Sequence, residues 1–118
     1  MRAKDAVGQY GERVAAKFLV ERGWEVLERN WRGPSGELDI VALDGDVLVV
    51  VEVKTRTGDG FGHPAEAVTP AKLARLRRLA GQWLAAHDLH VSGVRIDVIA
   101  VRAGGRGAAR VEHLVGVQ

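Results

Sequence analysis

The segment GELDIVALDGDVLVVVEVKTR, from Gly36 to Arg56, constrains this chain more than any other. It reads as two strands joined at Asp44-Gly45-Asp46, with the alternation that a sheet requires. A two-residue turn at Gly45-Asp46 has glycine at its first central position, the type II′ preference. That turn opposes Asp39 to Glu52, Val41 to Val50 and Leu43 to Leu48, and opposed residues share a face. The other face is Ile40, Ala42, Val47, Val49, Val51 and Val53, wholly apolar and suited to a core. A slip of two residues would keep the charges on one face, whereas a slip of one would break the arrangement.

The charges inside these strands need an explanation. Asp39 and Glu52 side by side repel, which costs stability unless something cationic lies between them. Lys54, two residues beyond Glu52 on the same face, partly meets that need, and a divalent cation would meet it better. Mg²⁺ typically binds through one or two carboxylates, completed by waters and phosphate oxygens. Such an ion polarises a phosphoryl oxygen and lowers the pKa of bound water. A lysine beside it can hold the attacking water and offset developing negative charge. Taken alone, Glu52 and Lys54 are better read as an ion pair on a solvated strand face, worth little energetically. A further acid alters the balance: Glu12 falls on a strip with Gly8, Ala15, Ala16 and Leu19, from which it can reach towards the sheet.

The remaining pattern supplies the frame. Residues 4–22 read as a helix with a buried stripe at Val7, Gly11, Val14 and Phe18, stopped by Gly23. A strand over 24–32 and a turn over 32–36 lead into the hairpin. A loop over 57–64 follows; Thr69-Pro70 then starts a helix running to about His87, buried at Leu73, Leu76, Ala80, Trp83 and Leu84. Strands over 94–101 and 110–117 flank a turn at 103–108. The expectation is one α/β domain over 1–118, order α-β-β-β-α-β-β, a mixed central sheet flanked by helices.

Composition narrows the class. The chain has 118 residues, no cysteine and a net charge of +2. These exclude a disulfide framework and a thiolate metal site, and they permit nucleic-acid binding without arguing strongly for it. The first residues contain no uninterrupted apolar core of a secretory signal, and no stretch approaches the ~20 apolar residues of a membrane span. The expectation is a cytoplasmic protein with no membrane association.

Glu12, Asp39 and Glu52-Val53-Lys54 follow the order of the PD-(D/E)XK nuclease superfamily. The phrases GERVAAKFL, GELDIVA, VEVKTR and FGHPAEAV, then Lys72 and RIDVIAV, resemble the small bacterial YraN-type family of uncharacterised proteins over nearly the whole chain. The core is similar to that of archaeal Holliday-junction resolvases. The resemblance implies a restriction-endonuclease-like fold with Asp39, Glu52 and the Val53 carbonyl as ligands of Mg²⁺ or Mn²⁺. It also implies Lys54 as the catalytic lysine and Glu12 as a helix-borne acid positioning metal or water. Leu38 stands where the superfamily pattern has proline.

Several residues keep two readings. Arg56 suits phosphate binding or a strand end equally. Ser35 and Gly36 could touch a nucleic-acid backbone, although a plain turn is the simpler account. Lys72, Arg75 and Arg78 form either a phosphate-contacting cluster or a solvated helix face. Asp97 is better read as paired with Arg95, or as a support for the site, than as a metal ligand. His87 and His90 fit a polar helix end, and the three tryptophans fit the core or its margin. The leading functional expectation is metal-dependent hydrolysis of DNA, with branched and single-stranded forms as candidate substrates, by a chain that acts with a second copy or a protein partner. The alternatives are a non-catalytic nucleic-acid-binding accessory protein and a purely structural interaction domain; only the last predicts no salt-dependent DNA binding.

Overall fold

The computed structural model describes residues 6–57, 68–104 and 107–117. The elements are α1 (Ala6–Glu21), β1 (Glu25–Gly33), β2 (Gly36–Asp44), β3 (Val47–Thr57), α2 (Pro70–Ala86), β4 (Gly93–Ala103) and β5 (Arg110–Leu114). Most of the loop expected over 57–64, part of the turn over 103–108 and the first helical residues before Ala6 lie outside the described residues.

The strands form one sheet in the order β1-β2-β3-β4-β5. The first three are an antiparallel meander; α2 then carries the chain across to β4, which runs parallel to β3, and β5 returns antiparallel. This is the mixed α/β arrangement expected from the sequence. The β2–β3 register is also the expected one: Val41 faces Val50 and Leu43 faces Leu48. Of the two turn residues only Gly45 has positive φ, at 64°, as a type II′ turn requires.

Each face of the sheet receives one helix, because strand side chains alternate between faces. Ala15 and Leu19 of α1 pack with Ile40, Ala42, Val49, Val51, Ile99 and Val101. On the other face Leu76, Leu79, Ala80 and Trp83 of α2 pack with Val41, Leu48, Val50 and Ile96. Thr69 caps α2, its Oγ1 accepting the Lys72 N–H at 3.2 Å, with Pro70 at the first helical position.

The inward face of α1 differs from expectation. Gly11, Glu12, Ala15 and Leu19 are buried, while Val7 is exposed and Val14 and Phe18 are half-buried. The cause is close approach: a Cβ at Gly11 would overlap the Thr55 side chain of β3. The small residues let the helix settle onto the strand, and the bulkier Val7 and Phe18 are rolled to its margins. The last strand is also shorter than expected. After Leu114 the chain turns through Gly116, at φ 67°, and the Val117 N–H reaches the Ile96 carbonyl at 2.8 Å. Among the described residues no helix is long and apolar enough to cross a membrane.

Candidate functional site

β2 leaves its regular pairing at Asp39. The last antiparallel pair of this ladder is Ile40 with Val51; beyond it the Asp39 side chain acts as the acceptor, its Oδ2 taking the Val53 N–H at 2.9 Å. The expected cross-strand pairing of Asp39 with Glu52 is therefore replaced by a side-chain-to-backbone contact one residue further along. The pleat changes here as well. Leu38 is buried with Leu76 and Leu79 on the α2 side, although strict alternation would put it with Ile40 on the α1 side.

This departure opens a pocket of about 390 Å³ against the start of α2. Asp39 and Glu52 line it from the strands, Lys72 and Arg75 from α2, Ser35 from the β1–β2 turn and Gly36 from the start of β2. The turn is fastened to the helix at Gln82, whose Nε2 donates to Ser35 Oγ at 2.9 Å and whose Oε1 accepts the Ser35 N–H at 3.3 Å. Sequence reasoning missed Gln82. Its signal was the seven-residue spacing from Arg75, which places both on one stripe of α2.

The electrostatics are strained. Glu52 is only 8% exposed, and burial, then the neighbouring Asp39, push its carboxyl above the ordinary range. Lys72 and Lys54 oppose that rise. The ion pair to Glu52 is made by Lys72, rather than by Lys54, two residues away on the same strand. Burial, then the Lys72 charge, lower the pKa of Lys54, against the opposing pull of Glu52.

The other site residues are distributed around this centre. Lys54 is half-buried beside Glu52 and Lys72. Val53 presents its N–H to Asp39. Arg56 is exposed on β3, and Arg78 is exposed on α2, one turn beyond Arg75. Glu12 is 3% exposed in the α1 layer and, like Lys54, Val53, Arg56 and Arg78, is absent from the pocket lining. The neighbouring contact of Gly11 with Thr55 brings this turn of α1 to β3 one residue after Lys54.

Among the described residues there is no group of three or more histidine, cysteine or acidic side chains suited to holding a metal. The pocket instead offers the carboxylates of Asp39 and Glu52, with Glu37 also in its lining. Hard oxygen donors in this number suit Mg²⁺ or Mn²⁺, which complete their coordination with water and substrate oxygens, rather than a closed structural metal cage.

Asp97 belongs to a different network. It lies on β4 opposite Val51, a position on the α1 side of the sheet. Arg95 Nε and Nη2 donate to its two oxygens at 2.9 and 3.1 Å, the Gly116 N–H donates at 2.9 Å, and His113 Nε2 lies 2.8 Å away. Burial alone would raise this carboxyl, but the bonds from His113, Arg95 and Gly116 hold it below its ordinary value. The pairing with Arg95 expected from the sequence is present. His87 caps α2 and stacks on Trp83 with 4.0 Å between ring centroids, while Trp83 Nε1 donates to Glu28 at 2.9 Å.

Comparison with known proteins agrees along the whole chain. UPF0102 proteins of Beutenbergia cavernae, Kineococcus radiotolerans and an Arthrobacter species are 68%, 62% and 56% identical to it, each over 99% of this chain and at least 97% of their own length. The family model described as "Uncharacterised protein family UPF0102" matches residues 11–101, which span α1 to β4 and every residue of the pocket. The chain belongs to the UPF0102 family.

Proposed function

We infer that this protein is a metal-dependent nuclease that hydrolyses DNA phosphodiester bonds at the Asp39–Glu52 pocket. The observation that carries the reading is the buried Glu52 carboxylate held next to Asp39, with lysines 54 and 72 and Arg75 around them. Like charges brought together out of water cost stability, and such groupings concentrate at functional sites. The likeness of Asp39, Glu52-Val53-Lys54 and the element order to the PD-(D/E)XK nucleases supports the same chemistry.

In this reading Asp39 and Glu52 hold Mg²⁺ or Mn²⁺, and the Val53 carbonyl is a further ligand on the strength of that likeness. When bound, the ion supplies charge stabilisation at the phosphate and an acidified water. Lys54, whose pKa burial and the Lys72 charge lower, holds the attacking water. Arg75 and Lys72 receive the non-bridging phosphate oxygens, and Arg56 and Arg78 extend the cationic track outside the pocket. Hydrolysis adds the water oxygen to phosphorus, breaks one ester bond and delivers a proton to the departing oxygen. Glu12, buried in the α1 layer outside the pocket, has no direct contact with substrate in this reading.

One observation favours a second reading. The Lys72–Glu52 ion pair already neutralises the more buried acid, which would let a non-catalytic descendant bind nucleic acid through the same cations. A cleavage assay separates the two. The protein is incubated with linear, nicked, flapped, branched and single-stranded DNA in Mn²⁺, Mg²⁺ or EDTA, beside the Lys54→Ala and Asp39→Ala variants. Metal-dependent cutting lost in both variants supports the nuclease. DNA binding without cutting supports the accessory protein, and cutting that survives both substitutions removes the site from the mechanism.

A further inference from the structure

Lys72 occupies an unfavourable place. It sits in the first turn of α2, behind the Thr69 cap and Pro70, where the helix presents its positive end and no acidic residue is present. Cations at that end lose stability, whereas acids gain it. Lys54 adds repulsion from β3, and Arg75 lines the same pocket. Against these stands the ion pair with Glu52. The ammonium group is thus held over the Glu52 carboxylate, with Asp39 and Glu37 of the same pocket adding attraction against the repulsion of Lys54, Arg75 and the helix end. It covers the oxygen donor that a divalent cation would need.

We propose that Lys72 is an exchangeable internal counter-ion: it holds Glu52 while the pocket lacks a metal, and it passes to a phosphodiester oxygen when a divalent cation takes the two carboxylates. The inference rests on the metal-dependent reading of the pocket. A cation bound at Asp39 and Glu52 would repel the Lys72 ammonium. Lys72 is partly exposed, with 23% of its side chain open to solvent, so it can turn outward without unpacking the core. The Arg75 side of the pocket is then the place where an anionic substrate meets both cations. One side chain thereby couples two ligands. Metal binding frees Lys72 for the nucleic acid, and nucleic acid draws Lys72 away from the metal site, so each ligand strengthens the other reciprocally.

The test measures the two bindings separately, without turnover. Free Mn²⁺ is titrated by electron paramagnetic resonance against the wild type, Lys72→Met, Arg75→Met and Glu52→Gln. Binding of a fluorescein-labelled single-stranded oligonucleotide is followed by anisotropy in EDTA and in Ca²⁺. If Lys72 covers Glu52 in about nine of ten molecules, its removal tightens Mn²⁺ binding about tenfold. Arg75→Met, which removes a charge from the same pocket, should change Mn²⁺ affinity by less than about threefold, a screened surface-charge effect. Ca²⁺ should tighten oligonucleotide binding more in the wild type than in Lys72→Met, where only the ion's own attraction for phosphate remains. The exchange is overturned if Lys72→Met leaves Mn²⁺ affinity unchanged or weaker, if Arg75→Met tightens it equally, or if the Ca²⁺ effect is undiminished in Lys72→Met. Loss of Mn²⁺ binding in Glu52→Gln without a gain in Lys72→Met removes the exchange and spares the metal site. Absence of Mn²⁺ binding in every protein removes both.

Discussion

Two buried acids lie on neighbouring parallel strands of this sheet, and their surroundings are opposite. Asp97 of β4 is completely buried, and Arg95, His113 and the Gly116 N–H satisfy it. Glu52 of β3 is nearly as buried, yet its nearest acidic neighbour repels it and the lysine that pairs with it is crowded by another lysine. The carboxyl of Asp97 is shifted down and that of Glu52 up. Burial is common to both, so burial alone identifies neither role. The difference is whether the fold completes the acid's coordination. Asp97 ties the chain after β5 back to the sheet, whereas Glu52 is left with a demand that an added ion would meet.

The largest effect that tests this contrast is on activity. Glu52→Gln and Asp39→Asn should lower the cleavage rate by about a thousandfold, the usual scale for removing one electrostatic or acid–base contributor. A loss under about tenfold, below the range of such contributors, would mean that neither acid touches the chemistry. Next in size is Asp97→Asn, expected to destabilise the fold by about 3 kcal/mol, because breaking a buried charge pair strands its partners. Urea unfolding measures this, and a loss under about 0.5 kcal/mol, the range of ordinary surface substitutions, would remove Asp97 from the structural side of the comparison.

The two acids were unequally legible in the sequence. The hairpin register could be read because one local signal, glycine at a two-residue turn, sets the opposition of every following residue, as Val41 with Val50 bears out. The same logic stops at Asp39, where a side chain substitutes for backbone in the ladder and Leu38 changes face; alternation carries no sign of such a break. The inward face of α1 was read correctly at Gly11 and missed at Val7, because hydrophobicity favours Val7 whereas the close approach to Thr55 turns the helix about its smallest residue. Lys72 read as one of three basic residues on a helix, and its pairing with Glu52 depends on how α2 docks, a long-range fact. His113 stands 16 positions from Asp97, and nothing in its strand pattern announces the partner.

Acid titration should separate the acids again, with a smaller effect. The carboxyl of Asp97 is held below its ordinary 3.8, so its contribution to stability is complete above about that pH and is lost as the pH falls through the depressed value. Denaturant midpoints measured from pH 6 downward should therefore fall below pH ~4 in the wild type, and part of that slope should vanish in Asp97→Asn. An unchanged slope would assign acid unfolding to other carboxylates.

The smallest effect is the most discriminating, because it has the opposite sign to that of Asp97. Glu52 is raised above its ordinary 4.5, so it contributes stability at low pH that is lost as the pH rises through the raised value. Asp39 is the second cause of that rise, after burial. Asp39→Asn deletes its charge and leaves an oxygen able to accept the Val53 N–H, so the structural contact survives while the repulsion goes. At pH 7 the variant should be more stable than the wild type, because the charge that raises the Glu52 carboxyl is gone. Near pH 4 the gain should shrink, since the wild-type Glu52 carboxyl, raised above 4.5, then carries little charge for Asp39 to repel. A variant more stable at neutrality, indifferent in acid and without cleavage would mark Asp39 as an acid kept at the expense of the fold. If Asp39→Asn is instead destabilising at both pH values, Asp39 is structural in the manner of Asp97, and the contrast between the two faces of the sheet dissolves.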